Sequence, residues 1–287
     1  MSELGGRVCL VTGASDGHGR AVARGLARRG ADVVLLGRSP EKCRRVQAEI
    51  AAENGGKSPA ILLCDLASRT EIDRAAAEYL ASGRPLHVLV NNAGLVSQAR
   101  QENAEGIELT FAVNYLAIFQ LTLRLLPRLL ESRPARIVNV SSDTYRLAKL
   151  DFDDLQFARG YSFTRSYARS KLAILYFTLE LARRLEGRGV TVNAVDPGPV
   201  ASNIGANNPG LAYRLAAPVI RAFFPRADRA ARTALMLAAD PALAGATGGY
   251  YRSGRRRERP LAFDAALSER LWRTSEALTR TEGRIPG

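Results

Sequence analysis

The chain has 287 residues and a formal net charge of +13, with 46% hydrophobic and 24% charged residues. That balance supports a buried core of domain size and excludes a disordered or fibrous chain. Three cysteines (Cys9, Cys43, Cys64) and two histidines (His18, His87), all widely spaced, argue against a disulfide framework and against a bound metal. The excess of basic charge is almost all arginine, in scattered blocks such as Arg28-Arg29, Arg183-Arg184 and Arg255-Arg256-Arg257. None of these blocks lies beside aromatic residues on which bases would stack, so no nucleic-acid partner is expected. The polar start and the short apolar run 8–11 do not read as a leader, and the most apolar stretch, 116–130, is interrupted by Arg124, Pro127 and Arg128. The expectation is a soluble, cytoplasmic protein without a membrane span.

In chain order, short apolar runs alternate with helical periodicity. Runs 7–11, 32–36, 60–63, 87–90, 136–140 and 191–195 are rich in Val, Ile and Leu with little alternation, as in strands covered on both faces. Helical patterns over 20–29, 41–53 and 69–80 join the first four; 107–130 and 167–186 precede and follow the fifth. Residues 197–228 break the pattern with Pro, Gly and Asn. Helices over 229–239 and 262–278 follow, with a short turn or strand at 249–251. The alternation predicts a single α/β domain, 1–287: a doubly wound parallel sheet of about seven strands with a helical lid at 203–226, after strand six.

The first strand runs directly into Thr12-Gly13-Ala14-Ser15-Asp16-Gly17-His18-Gly19. Gly13 permits a tight turn, Gly17 lets backbone amides approach a pyrophosphate, and Gly19 lets the following helix pack close to the sheet. The orphan N–H groups and positive end of that helix then favour an anion. A Rossmann-like dinucleotide site is therefore expected here. The same residues also spell a serine-hydrolase elbow, Gly13-Ala14-Ser15-Asp16-Gly17. That chemistry needs a downstream histidine, and the one present, His87, opens a buried strand; His18 is too near Ser15 to serve.

Tyr167 and Lys171 stand four apart at the start of a long helix, on one face. An ammonium beside a phenol lowers its high pKa and makes it a usable acid/base. Tyr145 and Lys149 repeat the spacing, but in the loop leaving strand five and with no long amphipathic helix after them.

These segments resemble the short-chain dehydrogenase/reductase family. The matching residues are Thr12 to Gly19, Asp65-Leu66, Asn91-Asn92-Ala93-Gly94, Asn114, Arg136 to Ser142, Tyr167 to Lys171 and Pro197-Gly198-Pro199-Val200, in the family's order across nearly the whole chain. The resemblance implies Tyr167 as acid/base at the substrate oxygen and Lys171 holding the nicotinamide ribose while depressing the phenol pKa. Ser142 would bond the same oxygen, with Ser141 as an alternative, and Asn114 would order a relay water. It implies cofactor contacts from Gly13, Ser15, Asp16, Gly17, His18 and Gly19, from Asp65 and Leu66 at the adenine, and from Asn92, Ala93 and Gly94 at the adenosine ribose. Pro197, Gly198, Val200 and Ser202 would face the carboxamide. His18 departs from the family's usual isoleucine, but only its backbone N–H is needed. The 25-residue spacing of Ser142 and Tyr167, with the tail Gly248-Gly-Tyr-Tyr251, resembles the retinol dehydrogenase and WW-domain oxidoreductase branch.

Strand two ends in Gly37-Arg38, with no carboxylate for a ribose 2′-OH, so NADP(H) is expected over NAD(H), with Arg38 on the 2′-phosphate. The acidic loop residues Asp151, Asp153 and Asp154 lack calcium-loop spacing. The expected reaction is hydride exchange between the nicotinamide and a carbonyl/alcohol pair. The small-molecule substrate is expected to be bulky and apolar because 203–226 carries Leu211, Leu215, Val219 and Phe223 on one helical face. Reduction of an activated C=C bond and a non-catalytic NADP(H)-responsive role remain open alternatives, as do a homo-oligomer and contact of the arginines in 203–226 with a membrane surface.

Overall fold

A computed structural model describes residues 3–198, 227–258 and 261–283. The expected lid at 203–226, with Val200 and Ser202, lies outside the described residues. The chain forms β1 (Val8–Thr12), α1 (Gly17–Arg28), β2 (Asp32–Gly37), α2 (Pro40–Glu53), β3 (Ala60–Leu63), α3 (Arg69–Ala81), β4 (Val88–Asn91), α4 (Leu109–Glu131), β5 (Ala135–Val140), α5 (Phe163–Arg184), β6 (Val190–Asp196), α6 (Ala227–Ala239), β7 (Gly249–Arg252), β8 (Arg255–Arg256) and α7 (Ala265–Thr279).

The sheet order is β3-β2-β1-β4-β5-β6-β7-β8, parallel throughout except for the β7–β8 hairpin. This is the expected doubly wound, Rossmann-like architecture with eight strands rather than about seven. The additional strand is two exposed arginines, which the apolar pattern could not reveal because an edge pair has no face to bury.

The strands look uniformly apolar because both faces are covered. In β1, Val8 and Leu10 face the core shared with α3, α4, α5 and α7, while Cys9 and Val11 face the core shared with α1, α2 and α6. Polar caps set the helix starts: Asp16, Ser39, Ser68 and Asp264 each accept a backbone N–H in the first turn of α1, α2, α3 and α7.

Helix α4 corrects one sequence expectation. Over Leu109–Glu131 it is long and apolar enough to cross a membrane, its 18-residue apolar stretch having a mean hydropathy of 1.5, yet 89% of that stretch is buried inside the fold. It is the central helix of the larger core. Helix α7 closes that core: Trp272 meets Phe119 edge-on at 4.9 Å and stacks on Phe177 at 6.0 Å, with the Arg184 guanidinium 4.1 Å over its ring. Replacing Trp272 by Ala should therefore lower the unfolding free energy by about 3–5 kcal/mol, read by denaturant titration.

Candidate active site

Parallel register brings the chemistry to one edge. Thr12 pairs with Leu36, Val11 with Val90, Asn91 with Asn139, and Val140 with Val195. The segments leaving β1, β2, β4, β5 and β6 thus emerge side by side at the C-terminal edge of the sheet. The strand order reverses between β1 and β4, where a ligand crevice opens in this architecture.

At that reversal the two loops are joined. Thr12 Oγ1 accepts from the backbone N–H groups of Asn92 (2.9 Å) and Ala93 (3.0 Å). Asn92 Nδ2 donates to the Thr12 carbonyl (2.8 Å), and Asn92 Oδ1 faces His18 Nδ1 at 2.7 Å. His18 is therefore more than a backbone donor. The residue is 7% exposed, and its ring donates through Nδ1, since Oδ1 can only accept. Burial holds its pKa below the usual value, which keeps the ring neutral. The glycines match this packing. A Cβ on Gly19 would lie 2.3 Å from the Gly13 carbonyl oxygen and 2.3 Å from Asn92 Nδ2, and Gly13 itself has φ +64°.

The end of β2 carries the second cluster. Arg38 is 70% exposed along its side chain and lies 3.8 Å from Asp65, a loose pair that restrains it weakly. Lys42, in the first turn of α2, lies 3.9 Å from Asp16 Oδ2. Sequence reasoning missed Lys42, although its position four residues after Arg38, just past the Ser39 cap, was the available signal. A Cβ on Gly37 would lie 3.4 Å from Ser15 Oγ, so Ser15 borders the same cluster. Beside it, Asp65 Oδ1 accepts from the Ala67 N–H, and Leu66 packs on the larger core.

The third cluster joins α4, α5 and the loop after β5. Asn114 sits in a π-turn at Ala112–Leu116 within α4 and is fully buried. Its Oδ1 accepts from the Leu95 N–H (2.7 Å), and its Nδ2 donates to the Leu95 carbonyl (2.9 Å) and Ser170 Oγ (3.1 Å). A Cβ on Gly94 would lie 3.3 Å from Asn114 Oδ1 and 3.7 Å from Lys171 Nζ, so Gly94 backs both. Lys171 is 3% exposed; its Nζ donates to the Val140 carbonyl (2.9 Å) and lies 5.4 Å from the Tyr167 ring centroid. The two serines separate cleanly. Ser141 is buried and donates to the Lys171 carbonyl (3.0 Å), whereas Ser142 accepts from the Thr144 N–H (3.4 Å) and acts on the Tyr167 phenol, lowering its pKa. Tyr145, the competing tyrosine, is 2% exposed and packs edge-on against Tyr250 at 5.4 Å.

The electrostatics differ from the sequence expectation. Burial and the nearby Asp196 carboxylate push the Tyr167 phenol up to about 12, against the lowering effect of Ser142. Burial lowers the Lys171 ammonium to about 8, with Asp196 opposing it. Asp196 was also missed; it becomes visible only once β6 is known to end beside this cluster. Of the predicted carboxamide turn, Pro197 and Gly198 follow Asp196, whose Oδ1 accepts from the Gly198 N–H at 2.8 Å.

The family described as short chain dehydrogenase matches residues 7–209. Retinol dehydrogenase 12 of Mus musculus is 39% identical over 276 residues, covering 95% of this chain and 86% of that protein. The chain belongs to the short-chain dehydrogenase/reductase family. Within it, the chain groups with the retinol dehydrogenase-like branch. Polyprenol dehydrogenase of Homo sapiens is 38% identical over 281 residues, covering 95% of this chain and 85% of that protein. A short chain dehydrogenase from Shigella flexneri, crystallised with NADP, superposes with a TM-score of 0.71 at 28% identity, covering 88% of this chain and 99% of that one. As a member of this family, the protein is an oxidoreductase acting on small-molecule carbonyl or alcohol substrates. Because the added methyl would strike both Gly13 and Asn92, Gly19→Ala should weaken dinucleotide binding at least about tenfold while the chain stays folded. A fluorescence titration paired with a melting curve reads both.

Proposed function

We propose that the protein interconverts the carbonyl and alcohol of a bulky, apolar small molecule with NADP(H). The observation that carries this reading is the convergence of Tyr167, Ser142, Lys171 and Asn114 at the edge where the glycine loop also emerges.

The residues present fit the cofactor. Gly13 and Gly19 let the loop close tightly on Asn92 ahead of α1, and the α1 N-terminus would offer its N–H groups to a pyrophosphate. Arg38 and Lys42, with Ser15 beside them, supply positive charge and a donor where a ribose 2′-phosphate would sit, and β2 ends without a carboxylate. The NADP and NADPH bound in solved relatives support this choice. Arg38→Ala and Lys42→Ala should each raise the KM for NADPH about tenfold and leave that for NADH nearly unchanged; equal shifts for both would contradict the assignment.

When bound, the nicotinamide supplies or takes the hydride. In reduction, Tyr167 gives its phenolic proton to the substrate oxygen while Ser142 donates a hydrogen bond to the same oxygen. Lys171 would hold the cofactor ribose and meet the negative charge left on the phenolate. Asn114, through Leu95 and Ser170, keeps the π-turn aligned with Lys171. For the substrate, the apolar residues of 203–226 support a large hydrophobic molecule, as do the names of the retinol and polyprenol relatives. Leu147 (77% exposed) and Phe163 (47% exposed) add apolar surface beside the elements that carry Ser142 and Tyr167.

Tyr167→Phe should abolish ketone reduction while NADPH still binds, whereas Tyr145→Phe should keep activity within about threefold. The pH profile has a definite sign. Tyr167, near 12, stays protonated through the neutral range, while Lys171 loses its proton near 8. The kcat/KM for reduction should therefore be flat at neutral pH and fall as pH rises through about 8. Activity persisting in Tyr167→Phe would contradict the reading.

A further inference from the structure

Arg252, the last residue of β7, forms ion pairs with two carboxylates at once. Its Nη1 contacts Asp143 Oδ2, and its Nε lies 3.4 Å from Asp196 Oδ2. Asp143 directly follows Ser142, and Asp196 directly precedes Pro197-Gly198. The acids are tied to the same segments through the backbone. Asp196 Oδ2 accepts from the Asp143 N–H at 3.3 Å, and Oδ1 accepts from the Gly198 N–H at 2.8 Å. From β7, Tyr250 completes the set by donating its hydroxyl to Asp143 Oδ1 at 2.6 Å.

Asp196 is 4% exposed along its side chain, so its charge is stabilised by protein partners more than by water. Two carboxylates sharing one site repel, and a guanidinium can bond both in a fixed geometry. Without it, two anions would face each other beneath the segments that carry Ser142 and Gly198.

We propose that Arg252 is a positioning residue for the reaction: by bridging Asp143 and Asp196 it holds the Ser142 hydroxyl in register with the Pro197-Gly198 turn. The inference rests on the carbonyl chemistry proposed for this site. Arg252 acts through its two partners and not on the substrate. Chemistry of this kind tolerates little displacement, since an error of about 1 Å costs on the order of 100-fold in rate.

The test compares the wild-type chain with Arg252→Met, Arg252→Lys and the double variant Arg252→Met/Asp143→Asn, using Tyr167→Phe as the control. Reduction of an apolar ketone by NADPH gives kcat and KM, and melting curves follow the fold. Arg252→Met should lower kcat on the order of 10- to 100-fold while the ketone KM moves less than about threefold. Arg252→Lys should restore much of the loss, and the double variant, relieved of like-charge repulsion, should turn over faster than Arg252→Met. Two results overturn the proposal. One is a kcat for Arg252→Met within about twofold of wild type. The other is a fall that follows loss of folded protein and that lysine does not reverse. Turnover persisting in Tyr167→Phe, or no NADPH-dependent turnover in wild type, would instead overturn the reading of the site, and the inference with it.

Discussion

Asn92 spans the gap between β1 and β4, donating to the Thr12 carbonyl and accepting from His18, while its own N–H is held by the Thr12 hydroxyl. At a point where the strand order reverses, no backbone ladder joins the two departing loops, so side chains must fix their separation. The glycine loop takes its shape against this staple: Gly13 and Gly19 both pack on Asn92, where a side chain on either would collide. The glycine loop is thus shaped from β4 as much as from β1. The same strand ends carry a second buried link, in which Asn91 donates to Asn139 and Thr122, and Asn139 donates to Thr178. Sheet, α4 and α5 are joined in one polar chain at the strand ends.

The acid/base pair shows how burial and charge compete. A tyrosine four residues before a lysine suggests a lowered phenol pKa, but both groups are desolvated and Asp196 acts on each. An anion nearby disfavours a phenolate and favours an ammonium, so Asp196 adds to burial in keeping Tyr–OH and opposes burial in favouring Lys–NH₃⁺. That is the protonation state a carbonyl reduction starts from. A carboxylate placed there needs its own counter-charge, which Arg252 provides from the far side.

Much of this was legible in the sequence because it depends on local pattern. The six long parallel strands and their helices follow from apolar runs and periodicity, and the glycine loop and the Tyr167–Lys171 spacing follow from short motifs. The residues that escaped are those whose roles arise from long-range register. His18 reads as a loop backbone donor until β4 brings Asn92 to its ring, 74 residues away. Lys42 gains meaning only when α2 sets it beside Asp16. Asp143, Asp196 and Arg252 are unremarkable in sequence and meet only because β5, β6 and β7 are neighbours. The decoy Tyr145 is separated from Tyr167 by the same means, since its short 3₁₀ turn buries it against Tyr250.

The central claim is that hydride reaches a carbonyl carbon at the Tyr167 site. It is tested most directly by supplying NADPH deuterated at nicotinamide C4 with a large apolar α,β-unsaturated ketone, which offers both a C=O and a C=C bond. Mass spectrometry and NMR of the product then locate the label. The account predicts an allylic alcohol with one deuterium on the carbinol carbon. A saturated ketone with deuterium at the β-carbon would contradict it.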